Sequence, residues 1–162
     1  MKLHHKKSIF IAMLVAATRL SAMAQVEKVA VRTTGISCGT CAVFSEVYLR
    51  QLPSVDKIAI SRSQEAVMIT YKPGASFQPA DIRAALKKTE VGAVQMQIGA
   101  QGRVQEQSGK QFFVAGNDRF LLVPTANSPK VPVGPKVSIE GIVNDQTKPM
   151  ELRVMTVKAL QQ

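Results

Sequence analysis

Gly35-Ile36-Ser37-Cys38-Gly39-Thr40-Cys41 is the stretch whose reading decides the fold, and its two cysteines are the only ones in the 162 residues. A Cys-x-x-Cys between a strand and a helix supports two chemistries. It binds a soft metal ion through two thiolates, or it cycles between dithiol and disulfide. Working outward, Val26 to Thr33 predicts a strand with Val29 and Val31 on one face. After the motif, Cys41, Phe44, Tyr48 and Leu52 recur at helical spacing and predict a helix that buries that face, with Thr40 as its N-cap and Pro53 as its stop. Val55 to Arg62, with Ile58 and Ile60 inward, and Val67 to Tyr71 flank a polar turn and predict a hairpin. Pro79 suits the first position of a second helix, which shows Ile82, Leu86 and Thr89 on one face and is stopped by Gly92. Ala93 to Ile98 closes the set as a last strand. The order is β-α-β-β-α-β, the ferredoxin-like split unit.

Downstream the pattern is all β. Gly99 to Gly109 is polar and rich in Gly and Gln, and predicts a connection with a short strand around Val104. Gln111 to Ala115 and Arg119 to Val123 flank the hairpin turn Gly116-Asn117-Asp118. Four prolines between Pro124 and Pro135 mark a loop. Val137 to Val143 alternates, with Gly141 at an expected bulge, and Met150 to Leu160 is the closing strand. The expected class is therefore α+β: a ferredoxin-like domain over residues 25–99, then a small OB-like barrel or sandwich over 100–162. The polar stretch between them predicts that the first unit folds without the second. Phe112, Phe113 and Phe120 are expected in the core of the second, which is read as an accessory or docking domain. Met68, Met96, Met150 and Met155 are read as core filler.

Residues 1–24 read as a signal peptide. Lys2, Lys6 and Lys7 make a basic n-region, Ile9 to Ala17 is an apolar run too short to span a bilayer, and Ala22-Met23-Ala24 has the small-x-small pattern of a cleavage site. The expectation is a periplasmic or secreted protein without stable membrane insertion after cleavage. Removing Lys2, Lys6, Lys7 and Arg19 lowers the formal net charge from +10 to +6. The remaining excess is spread over both halves without a basic block or interleaved aromatics, so no nucleic-acid partner is expected. His4 and His5 are the only histidines and leave with the leader. A Ser-His-Asp or Cys-His enzyme and a histidine-based zinc site are thereby excluded, and no enzyme activity is expected.

Residues 26–98 resemble the heavy-metal-associated domain of copper chaperones, metal-transporting ATPases and mercuric-ion-binding proteins. Gly35, Cys38 and Cys41 match the family's Gly-Met-x-Cys-x-x-Cys. Leu52-Pro53-Ser54-Val55 matches Leu-Pro-Gly-Val with Ser54 in place of glycine, and Ala66 to Tyr71 matches the second strand of the hairpin. Ile36 stands where the family carries a methionine that packs under the loop. The loop after the second helix, where copper chaperones often bring a Lys or Tyr toward the metal, holds Val91 and Gly92. The resemblance implies one metal ion held by Cys38 and Cys41, and a metal-transporting ATPase or another metal-binding protein as partner.

The chemistry of the residues agrees. A helix N-terminus lowers a thiol's pKa, and two thiolates on one loop suit two-coordinate soft ions: Cu(I) first, then Hg(II) or Ag(I). Zn(II) takes four ligands, so a carboxylate or a second molecule has to complete it. The alternative is a non-metal interaction module in which Cys38 and Cys41 form a static or redox-active disulfide, as an oxidising compartment permits. A thioredoxin-like oxidoreductase fits less well, because Ser37 precedes the pair and Gly39-Thr40 separate it.

Overall fold

The computed structural model describes residues 25–160, so the expected signal peptide lies outside the described residues. The described residues form a mixed α+β fold dominated by one eight-stranded sheet with two helices. Its first six elements are β1 (Gln25–Thr34), α1 (Gly39–Arg50), β2 (Val55–Ser61), β3 (Ala66–Tyr71), α2 (Pro79–Lys87) and β4 (Gly92–Gln107). Four more strands follow: β5 (Lys110–Ala115), β6 (Asp118–Leu122), β7 (Lys136–Asn144) and β8 (Met150–Ala159).

The first four strands lie side by side as β2-β3-β1-β4, every pair antiparallel. Register follows from alternation. Val29 sits between Ile69 and Ile98, and Val31 between Val67 and Met96. All six are buried, forming the inward layer, while Lys28 and Arg32, which flank Val29 and Val31 on the strand, are exposed. Slipping β1 by one residue would put Lys28 and Arg32 into that layer. Ile36, Leu49, Ile82 and Leu86 complete this core from the motif loop and the helices. Ser45, buried on α1, bonds its hydroxyl to Thr89 Oγ1 at 2.6 Å, and Thr89 in turn donates to the Leu86 carbonyl at 2.9 Å. The helices are tied together there without an unsatisfied polar atom.

The inward face of α1 differs from the expected one. Ala42, Ser45 and Leu49 are buried, and Phe44 is 53% exposed. Both sets have helical spacing, so periodicity favours the bulkier set, whereas close approach to α2 selects the smaller one. α2 begins at Pro79 as expected, but the residue that turns the chain after it is Glu90, at φ 60, and not Gly92, which already belongs to β4.

The largest departure is β4 itself. Residues 99–109, read as a connection, are mostly its second half. The strand pairs with β1 as far as Gln101, with β7 from Met96 to Arg103, and with β5 from Arg103 to Gln107. The remaining pairings, β5–β6, β6–β8 (parallel) and β8–β7, return to β4 and close a five-stranded ring. Phe113, Phe120, Ile139 and Leu152 are fully buried in the second half of the chain. The register shifts between Glu140 and Gly141, where the bulge was expected. Phe112 is only part-buried, with Arg119 stacked 3.8 Å from its ring centroid. Of the four methionines, Met96 is buried and Met150 packs against the core, but Met68 and Met155 are exposed and do not fill it.

The residue-99 boundary thus falls inside a strand common to both halves. Side chains also join them. Arg83 on α2 holds Asp145 beyond β7 through two bonds of 2.7 and 2.8 Å and donates a third to the Ala93 carbonyl. Asp118 at the start of β6 accepts the Phe77 backbone N–H at 2.9 Å, and Phe77 lies between the rings of Tyr71 and Phe120. No helix among the described residues is long and apolar enough to cross a membrane.

Candidate metal site

β1 ends at Thr34, and Gly35, at φ +89, turns the chain out of the sheet. A Cβ at that position would make only ordinary contact with the Glu90 carbonyl, at 3.5 Å, so it is the left-handed backbone, which L-residues avoid, that calls for glycine. Ile36 then drops into the core with no exposed surface, the packing role expected of it. With Ile36 anchored, Ser37 and Cys38 are left on the outside, and α1 starts at Gly39.

The expected cap is corrected. The N-cap is Cys38, in extended backbone at φ −62 and ψ 124, and its sulfur accepts the Cys41 N–H at 3.3 Å. Thr40 lies within the first turn. One cysteine sulfur therefore occupies the position where an N-capping oxygen usually sits, at the electropositive end of the helix. Cys38 is exposed and Cys41 half-buried, their Cα atoms are 5.2 Å apart, and the two are joined as a disulfide.

Sequence reasoning missed the groups around the pair. The β2–β3 turn grips the loop from one side. Glu65 Oε1 accepts both the Gly35 N–H and the Ser37 hydroxyl at 3.2 Å, and its carbonyl takes the Thr33 N–H and hydroxyl at 2.8 Å. Arg62 donates from Nε to the Ser37 carbonyl at 3.0 Å. Its guanidinium carbon and both terminal nitrogens lie 3.6 Å from where a Gly39 Cβ would be. On the other side, Thr40, Cys41, Phe44, Tyr48, Lys88, Thr89 and Glu90 line a shallow depression, with Lys88 Nζ 4.8 Å from the centre of the Tyr48 ring. Val91, in the loop after α2, is buried and takes no part. A sequence signal for Arg62 and Glu65 did exist. In an antiparallel β1–β3 pair the end of β1 lies beside the start of β3, here Arg32 opposite Ala66, so the hairpin turn has to adjoin the cysteine loop.

No family model matches the chain, and no curated protein matches it. Solved structures do match, among them the crystal structure of a copper-binding domain from HMA7, a P-type ATPase. It aligns over 44% of this chain and 92% of its own length, at 21% identity and a TM-score of 0.37.

Both predicted ligands, Cys38 and Cys41, are brought together. Among the described residues no group of three or more His, Cys, Asp or Glu side chains is placed to hold an ion. The donor set is thus two sulfurs on one loop. It fits an ion content with two soft ligands and leaves Zn(II) short of two.

Proposed function

We propose that this protein holds a soft metal ion, Cu(I) in first place and Hg(II) or Ag(I) by the same softness, between Cys38 and Cys41 for transfer or sequestration. The observation that supports this most is the pair itself: two cysteines, one exposed and one half-buried, 5.2 Å apart by Cα, one capping the helix, with no third ligand group among the described residues. Binding begins from the dithiol. A thiol or phosphine reductant delivers two electrons and two protons to the disulfide, and Cu(I) then displaces both protons to give a two-coordinate dithiolate. Transfer proceeds by thiolate exchange, in which a partner's cysteines replace Cys38 and Cys41 one at a time. The partner in this reading is a metal-transporting ATPase or another metal-binding protein. The sheet orders are read as a ferredoxin-like heavy-metal-associated unit (residues 25–99) sharing β4 with an OB-like barrel (100–162), the latter an accessory module. The N-terminal pattern supports a periplasmic or secreted location, and the confinement of both histidines to residues 1–24 supports a role other than catalysis.

Anaerobic Cu(I) titration of reduced protein against a chromogenic competitor tests the reading. One ion per chain is expected in the parent and none in the Cys38→Ser, Cys41→Ser double variant. Equal binding by the two proteins would sink it.

The disulfide favours a second reading, in which the oxidised pair is the resting form of a non-metal interaction module. Alkylation and mass spectrometry of protein taken directly from its native compartment separate the two. A pair that stays oxidised and resists mild reductant supports the second reading, and a reduced or metal-loaded pair removes it.

A further inference from the structure

Two thiolates around Cu(I) carry a net charge of −1, and the same two around Hg(II) carry none. A fixed positive charge beside the loop therefore distinguishes the two ions, whereas packing and loop flexibility act on both. Arg62 supplies such a charge. Its guanidinium lies against Gly39, the residue immediately after Cys38 and two before Cys41, and its Nε bond to the Ser37 carbonyl holds it there. A Cβ at Gly39 would touch the guanidinium at 3.6 Å, an ordinary contact distance, so the charge lies directly over this part of the loop. A second cation near the pair, Lys88, lies over the Tyr48 ring and shares its depression with the acid Glu90. The opposing charge on the same turn is Glu65, whose carboxylate accepts from Gly35 and Ser37, residues that precede Cys38 in the loop.

We infer that Arg62 is a specificity-determining residue: its guanidinium favours the anionic dithiolate of a monovalent soft ion over the neutral dithiolate of a divalent one, which makes Cu(I) or Ag(I) the cargo rather than Hg(II). The inference rests on the two-sulfur site proposed above. Arg62 is exposed, so its effect is that of a surface charge, about 2- to 5-fold in affinity at low salt.

The test measures Cu(I) and Hg(II) affinities of the reduced full chain at one pH, each against a competing small-molecule thiol, and compares their ratio. Any general change in thiol acidity affects both metals and cancels in that ratio. Arg62→Gln is expected to lower the Cu(I)-to-Hg(II) ratio about 2- to 5-fold, and Arg62→Lys, which keeps the charge without the planar fork, to restore most of it. Glu65→Gln keeps an acceptor for Gly35 and Ser37 while removing a negative charge, and is expected to raise the ratio. An unchanged ratio in Arg62→Gln overturns the inference. So does an Arg62→Lys protein as impaired as Arg62→Gln, or a Glu65→Gln ratio that falls, because loop order would then be the cause. These failures differ from failure of the site itself, in which the parent protein binds neither ion.

Discussion

Ile36 and Cys38 stand two residues apart, one fully buried and the other exposed, and that contrast sets the geometry of the site. The motif was legible because its chemistry is local: two sulfurs, a turn glycine and an aliphatic anchor lie within seven residues. The cap at Cys38 was not, since sulfur is a weak acceptor and Thr40 is the better capping residue by type. Nor was the environment of Asp118. Its carboxyl is buried and pushed up to about 6 by desolvation, with the Phe77 N–H pulling the other way. The folded chain thus keeps the Asp118 proton to a higher pH than the unfolded chain does. The stability from this group is fully present below about pH 4 and falls as pH rises through about 6. Asp145 behaves oppositely, because the hydrogen bonds from Arg83 hold its carboxyl below the ordinary value, and its contribution is lost only as pH falls below about 4. Stability measured by urea unfolding is therefore expected to rise by about 2 kcal/mol between pH 7 and pH 4.5. That rise should be smaller in Asp118→Asn by nearly the whole amount, and equal profiles in the two proteins would show that Asp118 is not its source.

At the scale of elements, the hairpin, both helices and the β-α-β-β-α-β order were readable, each from a period and a stop signal. β4 was not, for a reason that lies in its partners. Gly99 and Gly102 look like linker residues until the neighbours are in place. A Cβ at Gly99 would run into the Lys28 side chain, and one at Gly102 would overlap the Val114 carbonyl oxygen and the Phe113 ring. Both glycines are there because other parts of the chain approach β4 closely, and no local pattern records an approach from residues 11 or more positions away. The polar residues of this stretch misled for a related cause. Gln101, on the strand, bonds its side-chain amide to Glu27 at 2.8 Å, so its polarity is satisfied by a neighbouring strand and not by solvent. Gly102→Ala is expected to cost about 2–3 kcal/mol of unfolding free energy, since the overlap is with backbone that cannot move aside easily. Ala100→Gly, also on β4, is expected to cost about 1.5 kcal/mol, the ordinary penalty for a strand glycine plus one buried methyl. Denaturant midpoints of the two variants decide it, and a Gly102→Ala protein no less stable than Ala100→Gly would mean that β4 has slack there.

For the whole molecule, the sharing of β4 governs how the halves depend on each other. Chain termination after Gly99 removes the β4 partners of Gln25 and Val26, which are Gln101 and Ala100. It also strips β7 from the outer edge of β4, leaves Arg83 without Asp145, and uncovers Phe77 where Phe120 and Asp118 had met it. A core of about 70 residues is marginal even when intact. We therefore expect the intact chain to unfold in one transition, with far-ultraviolet circular dichroism and near-ultraviolet signals from Tyr71 changing together. Fragment 25–103 keeps every β1–β4 pair and should be more stable than fragment 25–99, and both should melt well below the full chain. Asp145→Ala in the full chain isolates one of the lost ties. It leaves Arg83 its bond to the Ala93 carbonyl and a route to solvent, so the expected cost is about 1–2 kcal/mol. The cysteine loop takes its hydrogen bonds from Glu65 and Arg62 of the first half. Cu(I) binding by whichever fragment folds is accordingly expected to match that of the full chain. Two separate transitions in the full chain, or a fragment 25–99 as stable as the parent, would show that β4 couples the halves in geometry but not in energy.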